Sequence, residues 1–159
     1  MQGVPVVYSP TSPMNAINDH CIHICNSLLR SELSAVETYT QVIDKYDGKP
    51  ASQLERIRNS HLAAAERIRE NIFDMGGVPK EETGVWGFFG KGLQGIANLF
   101  GPDSAIDGLQ RGEENARSEY EMALEDKEVM AASKDMIRHE LLRRIHRNIA
   151  ALEMLSHEG

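Results

Sequence analysis

Apolar residues fall at steps of three and four in four long stretches, the spacing that lines one face of an α-helix. The first stripe is Cys21, Cys25, Leu28, Glu32, Ala35, Tyr39, Val42 and Tyr46, which predicts a helix from near Asn15–Asn18 to about Tyr46. Asp47-Gly48-Lys49-Pro50 ends it, with a glycine suited to a left-handed cap and then a proline. The second stripe, Leu54, Ile57, His61, Ala64, Ile68, Ile72 and Met75, predicts a helix from about Ser52 that stops at Gly76-Gly77. The third runs Ile106, Leu109, Glu113, Ala116, Tyr120 and Ala123 and breaks near Asp126-Lys127. The fourth reaches about Leu155, with Leu142, Ile145, His146, Ile149 and Leu152 on or beside its inner face.

Helices one and two are joined by a short loop, as are three and four, and short loops force antiparallel neighbours. Residues 78–103 make a long connection between helices two and three. Within it Trp86, Phe89, Leu93, Ile96 and Phe100 keep helical spacing among five glycines, which predicts a short crossover helix over the bundle. Residues 1–15 carry three prolines and no helical period, and read as an extended arm. The expectation is an all-α chain: an arm over 1–15 and one four-helix bundle over 16–159.

The stripes are interrupted by charge at corresponding points. Arg30-x-Glu32 is followed by Ala35 and Tyr39, and Arg111-x-Glu113 by Ala116 and Tyr120. On a helix the positions i, i+3 and i+7 share a face, so each segment sets a carboxylate in its own buried stripe. Such a group is costly unless something meets it. Helices two and four repeat as well: Glu55-x-x-Arg58-x-x-His61 matches Glu140-x-x-Arg143-x-x-His146. Each of the four helices is thus expected to give one polar group to a shared core, with the Tyr39 and Tyr120 hydroxyls meeting it.

Composition narrows the function classes. With 159 residues, 41% hydrophobic and 26% charged, the chain has the make-up of an ordinary globular domain. A net charge of −7 argues against a nucleic-acid surface. No apolar run has the length of a membrane span and no secretory signal stands at the start, so the expected setting is the cytoplasm, without membrane association. Two cysteines, Cys21 and Cys25, are expected to be reduced packing residues. The run His20-Cys21-Ile22-His23-Ile24-Cys25 holds four soft ligands, but on one helix they point in several directions. His139, one heptad before His146, is expected either to extend the polar core or to sit at its wet end, and Glu37, Glu114, Glu119 and Glu121 in solvent. No nucleophile triad or phosphate loop is present.

Glu32 with Tyr39, His61 followed by Ala65, Glu66, Arg67 and Ile68, and His146 through Leu152 resemble the helix segments of bacterioferritins. The chain over 28–155 is similar to the ferritin-like superfamily, and within it to a bacterial ferritin-like family of unknown function. Gly76-Gly77-Val78-Pro79, the glycine-rich crossover and Gly112-Glu113-Glu114 with Tyr120 carry that resemblance. It implies an up-down-down-up bundle with a crossover between helices two and three.

One departure decides the functional expectation. Di-iron members of that superfamily use Glu-x-x-His on helices two and four. Here Arg58 and Arg143 stand three residues before the histidines. Glu32 and Glu113 against Arg58 and Arg143 balance without a metal, and arginine pairs well with carboxylate through its planar fork. The expected core is therefore salt-bridged and metal-free, in a non-enzymatic protein with a structural or interaction role and no cofactor. The alternative is iron or zinc on Glu32, His61, Glu113 and His146, with oxidoreductase or metal-storage chemistry. The apolar arm and the crossover face fit contacts between copies of the chain, and so a homo-oligomer, or equally cover for the chain's own core.

Overall fold

The computed structural model describes residues 13–81 and 102–158. Residues 1–12 of the arm expected over 1–15, and the crossover helix, lie outside the described residues. What is described is all-α, with no strand among these residues. Helix α1 spans Pro13–Ile43, α2 Gly48–Asp74 and α3 Pro102–Glu125. The fourth rod begins as α4, Ala131–Met136, passes through a π-helical turn at Ile137–Leu141 and continues as α5, Leu142–Glu158.

The helix ends follow from local chemistry. Pro13 opens α1, where its missing N–H is no loss and its φ is already helical. That start is two residues ahead of the Asn15 read from the pattern, within the stretch expected as arm. Gly48 takes φ of 62°, the left-handed conformation expected of it, and Pro50 is tolerated in the first turn of α2. At the other end of α2, Gly76 has φ of 80°. Its N–H donates to the Phe73 carbonyl at 2.9 Å and that of Gly77 to Ile72 at 2.9 Å, a Schellman cap. Gly77 is required for a different reason: a Cβ there would stand 2.8 Å from Ile22 Cγ2 on α1.

Helix directions can be followed through side-chain contacts. The start of α1 meets the end of α2, where Asn18 donates to the Met75 carbonyl at 2.8 Å. It also meets the end of α3, where His20 Nε2 lies 2.7 Å from Asp126 Oδ2. The start of α2 meets the end of α5 through Lys49 and Glu158 at 3.7 Å. So α1 runs antiparallel to both α2 and α3, and α2 antiparallel to α5.

Two apolar clusters fill the bundle. One holds Cys21, Cys25, Leu28, Ile68, Ile72, Met136 and Ile145 among others. The second holds Val42, Leu54, Ile57, Ile106, Leu109 and Leu152. Between them lies a layer of buried polar side chains from α1, α2, α3 and α5. None of the described helices is long and apolar enough to cross a membrane.

Candidate functional site: a buried histidine between two carboxylates

The i to i+7 spacing of glutamate and tyrosine sets the geometry of the polar layer. Seven residues span two turns, about 10 Å along a helix. Because α1 and α3 run in opposite directions, the tyrosine of each lies level with the glutamate of the other. Tyr39 on α1 donates to Glu113 Oε2 at 2.5 Å, and Tyr120 on α3 donates to Glu32 Oε2 at 2.7 Å. His61 on α2 stands between the two carboxylates. Its Nδ1 is 2.6 Å from Glu32 Oε1 and its Nε2 is 2.7 Å from Glu113 Oε2. The Tyr39 ring lies beside the imidazole, with centroids 5.4 Å apart. Asn148 on α5 closes the layer, its Nδ2 reaching Glu113 Oε1 at 3.5 Å and Ser60 Oγ at 3.3 Å.

The layer is dry. Glu32 and His61 are 1% exposed and Glu113 is 0% exposed. A neutral imidazole has one N–H and one lone pair, whereas an imidazolium has two donors. Two carboxylate oxygens at hydrogen-bond distance call for two donors. Burial is the largest single influence on His61 and pulls its pKa down. The attraction of Glu113 and Glu32 and the hydrogen bonds to both outweigh it, and the pKa rises to about 10. Burial, with the charges of Glu113 and Glu32, pushes the Tyr39 and Tyr120 hydroxyls well above their ordinary range, so both remain donors.

Five of the residues expected at this site meet there: Glu32, Tyr39, His61, Glu113 and Tyr120. Three do not. Arg58 is half-buried and makes no hydrogen bond or ion pair with a described residue; Arg143 and His146 face solvent. The cation beside the carboxylates is therefore the imidazolium of His61 and not a pair of guanidiniums. On α5 the buried positions are Leu142, Ile145, Asn148, Leu152 and Leu155. That face leaves His146 about 100° away from Ile145 and brings Asn148 inward. The sequence match between Glu55-x-x-Arg58-x-x-His61 and Glu140-x-x-Arg143-x-x-His146 is thus not a structural match. Glu140, at the π-helical turn, accepts from Arg67 Nε on α2 at 3.0 Å.

Iron or zinc on Glu32, His61, Glu113 and His146 does not fit this arrangement. A tetrahedral ion holds each ligand at about 2.1 Å, which sets neighbouring ligand atoms about 3.4 Å apart. The nitrogen–oxygen separations here are 2.6 and 2.7 Å, hydrogen-bond distances on both sides of one ring. Among the described residues no group of three or more His, Cys, Asp or Glu side chains is arranged as metal ligands.

A second buried polar cluster lies toward the start of α1. Cys21 and Cys25 are free thiols, both fully buried as expected. Asn71 donates to Cys25 Sγ at 3.4 Å and to Ser133 Oγ at 2.8 Å, and Ser133 Oγ is 3.4 Å from Cys21 Sγ. A hydrogen bond from Cys25 lowers the Cys21 pKa against the effect of burial, with further help from the Met130 N–H and Ser133. Neither Asn71 nor Ser133 stands out in the sequence, since single buried polar residues leave no periodic mark. His20 and His23 play no part in this cluster: His20 pairs with Asp126, whose hydrogen bond raises its pKa, and His23 is exposed.

A family described as a domain of unknown function, DUF2383, matches residues 20–126. That is more than half of the chain, and it includes Glu32, Tyr39, His61, Glu113 and Tyr120. No curated protein and no solved structure matches. The chain belongs to the DUF2383 family.

Proposed function

We propose that this DUF2383 member is a non-enzymatic helical bundle of the ferritin-like kind, in which a protonated histidine bridges the two core carboxylates and offsets one of their two charges in place of a metal ion. Its role is structural or one of interaction. The observation that carries the reading is that both ring nitrogens of His61 are committed to Glu32 and Glu113 in a layer no more than 1% exposed. Among the described residues, the layer keeps Glu32, His61 and Glu113 out of solvent and engaged with one another. It ties α1, α2 and α3 together at one level. The antiparallel pairs α1–α2, α1–α3 and α2–α5 support an up-down-down-up order with a crossover between α2 and α3. A cytoplasmic setting and self-association belong to the same proposal.

Metal content tests it. Purified protein should carry no stoichiometric iron or zinc, and ferrous or zinc ions added at one fixed pH should leave its melting temperature unchanged. Stoichiometric metal that stabilises the parent protein, and is lost in Glu113→Gln or His61→Ala, would replace this reading with a metal-binding protein. Ligand binding to the folded state alone raises stability by mass action, so the melt reports the ion directly. Light scattering of the whole protein, with and without residues 1–15, tests self-association and the arm's share in it.

A further inference from the structure

Some arginines on the described surface have acidic partners. Arg67 pairs with Glu140 at 3.0 Å, Arg69 with Glu81 at 2.8 Å and Arg138 with Asp135 at 3.6 Å. That is expected where acidic residues outnumber basic ones, 24 to 17. The groove between α2 and α5 gathers three arginines that have none. Arg56, Arg144 and Arg147 all line it, no carboxylate does, and none of the three has an acidic partner among the described residues. Arg144 is held across the groove by a hydrogen bond from Nη1 to the Ser60 carbonyl at 3.5 Å.

The rest of the lining has two characters. Ile57, Ala151 and Met154 form an apolar wall, and Met154 is 63% exposed, a large thioether left in water. Ser60 and Asn148 form a polar floor. The Asn148 amide is already engaged by Ser60 Oγ at 3.3 Å and Glu113 at 3.5 Å, so the guanidiniums and not the floor would carry a head group. The space measures about 470 Å³, within the range of small-molecule sites. Three cations beside an apolar wall are the complement of an amphiphilic anion.

We propose that this groove binds a small organic anion, with a carboxylate or phosphate held by Arg56, Arg144 and Arg147 and a short apolar body against Ile57, Ala151 and Met154. Guanidinium forks suit both head groups through paired N–H donors. The net charge of −7 does not prevent it. Surface charges beyond a Debye length of about 8 Å are screened at physiological salt, while three guanidiniums lie in the groove itself. Glu113 stands behind Asn148, but its charge faces His61 and the Tyr39 hydroxyl. The proposal does not depend on the state of the buried histidine.

Calorimetry on the whole protein tests it with hexanoate and hexyl phosphate, against hexanamide and inorganic phosphate. One hexyl anion or both should saturate at one site, more tightly than either comparator and more weakly as salt is raised. Which of the two binds identifies the head group. Arg147→Gln should weaken binding roughly tenfold or more, as expected for loss of a charge-assisted hydrogen bond. Arg138→Gln, at a paired arginine elsewhere, should leave it unchanged. The Met154 methyl resonance of the parent should shift on addition of the bound anion, which locates the site without any substitution. Absence of saturable binding by both hexyl anions would overturn the proposal. So would equal binding of hexanamide or inorganic phosphate, unaltered affinity in Arg56→Gln/Arg147→Gln, or an unmoved Met154 signal.

Discussion

Tyr39 and Glu113 lie 74 positions apart in the chain, yet the tyrosine hydroxyl donates to Oε2 of the carboxylate at 2.5 Å. The same oxygen faces His61 Nε2 at 2.7 Å, so one carboxylate of α3 gathers groups from α1 and α2. Tyr39→Phe keeps the ring and removes the donor. It should cost about 1–3 kcal/mol, the penalty for leaving a buried charged acceptor short of a partner. Tyr120→Phe should cost about as much through Glu32. Because both carboxylates share His61, the double substitution should depart from additivity. Urea unfolding of the two single variants and the double one measures all three terms.

Much of this arrangement is legible in the sequence. The four stripes, the stop at Gly76-Gly77 and the convergence of Glu32, Glu113 and His61 follow from periodicity, because large apolar faces fix helix rotation. The tyrosines follow from the same count of seven. What the pattern misassigns is the cation. Arg58 and Arg143 satisfy a charge balance on paper, but a one-dimensional repeat does not say which face of the fourth rod turns inward. Packing of Leu142, Ile145, Leu152 and Leu155 decides that, and it selects Asn148. The spacing of three from Ile145 to Asn148 was available as a signal, but it competed with the more conspicuous His146.

That difference can be measured on α5. Asn148→Ala should destabilise the protein by about 1–2 kcal/mol, because Glu113 and Ser60 lose a buried partner. His146→Ala and Arg143→Ala, both at exposed positions, should stay within about 0.5 kcal/mol of the parent. Chemical denaturation of the three variants side by side checks the order. A large loss at His146 with none at Asn148 would return α5 to the face expected from the repeat.

The two glycines after α2 should fail for separable reasons. Gly76→Ala meets no neighbour within 4 Å but must hold φ of 80°, at a cost of about 1 kcal/mol. Gly77→Ala drives a methyl toward Ile22, whose Cγ2 would lie 2.8 Å away, and overpacking of that kind costs about 1–3 kcal/mol. Adding Ile22→Ala should recover part of the Gly77→Ala loss and none of the Gly76→Ala loss. Melting temperatures of the single and paired variants separate strain from crowding.

Protonation of His61 also sets a pH dependence with a definite sign. Its pKa is about 10 in the folded protein, against an ordinary value of 6.5. Below about 6.5 folded and unfolded states both carry the proton, and its stabilising contribution is complete. As pH rises, the unfolded chain releases the proton first, so stability falls until the folded state releases it near 10. The slope from this one group approaches about 1.4 kcal/mol per pH unit. His20, raised by its hydrogen bond to Asp126, slopes the same way, and His20→Asn removes that share. Cys21, lowered to about 6 by its hydrogen bond from Cys25, slopes the opposite way between 6 and 9; in a Cys21→Ala background, denaturant unfolding between pH 6 and 10 should therefore show a steady loss of stability.

The charge on His61 is open to direct observation by nitrogen-15 NMR of the imidazole ring. At pH 8 both Nδ1 and Nε2 should resonate as protonated nitrogens, and the ring should titrate only as the pH nears 10. A ring with one bare nitrogen at pH 8, or one that titrates at or below 6.5, would contradict a cation held between Glu32 and Glu113.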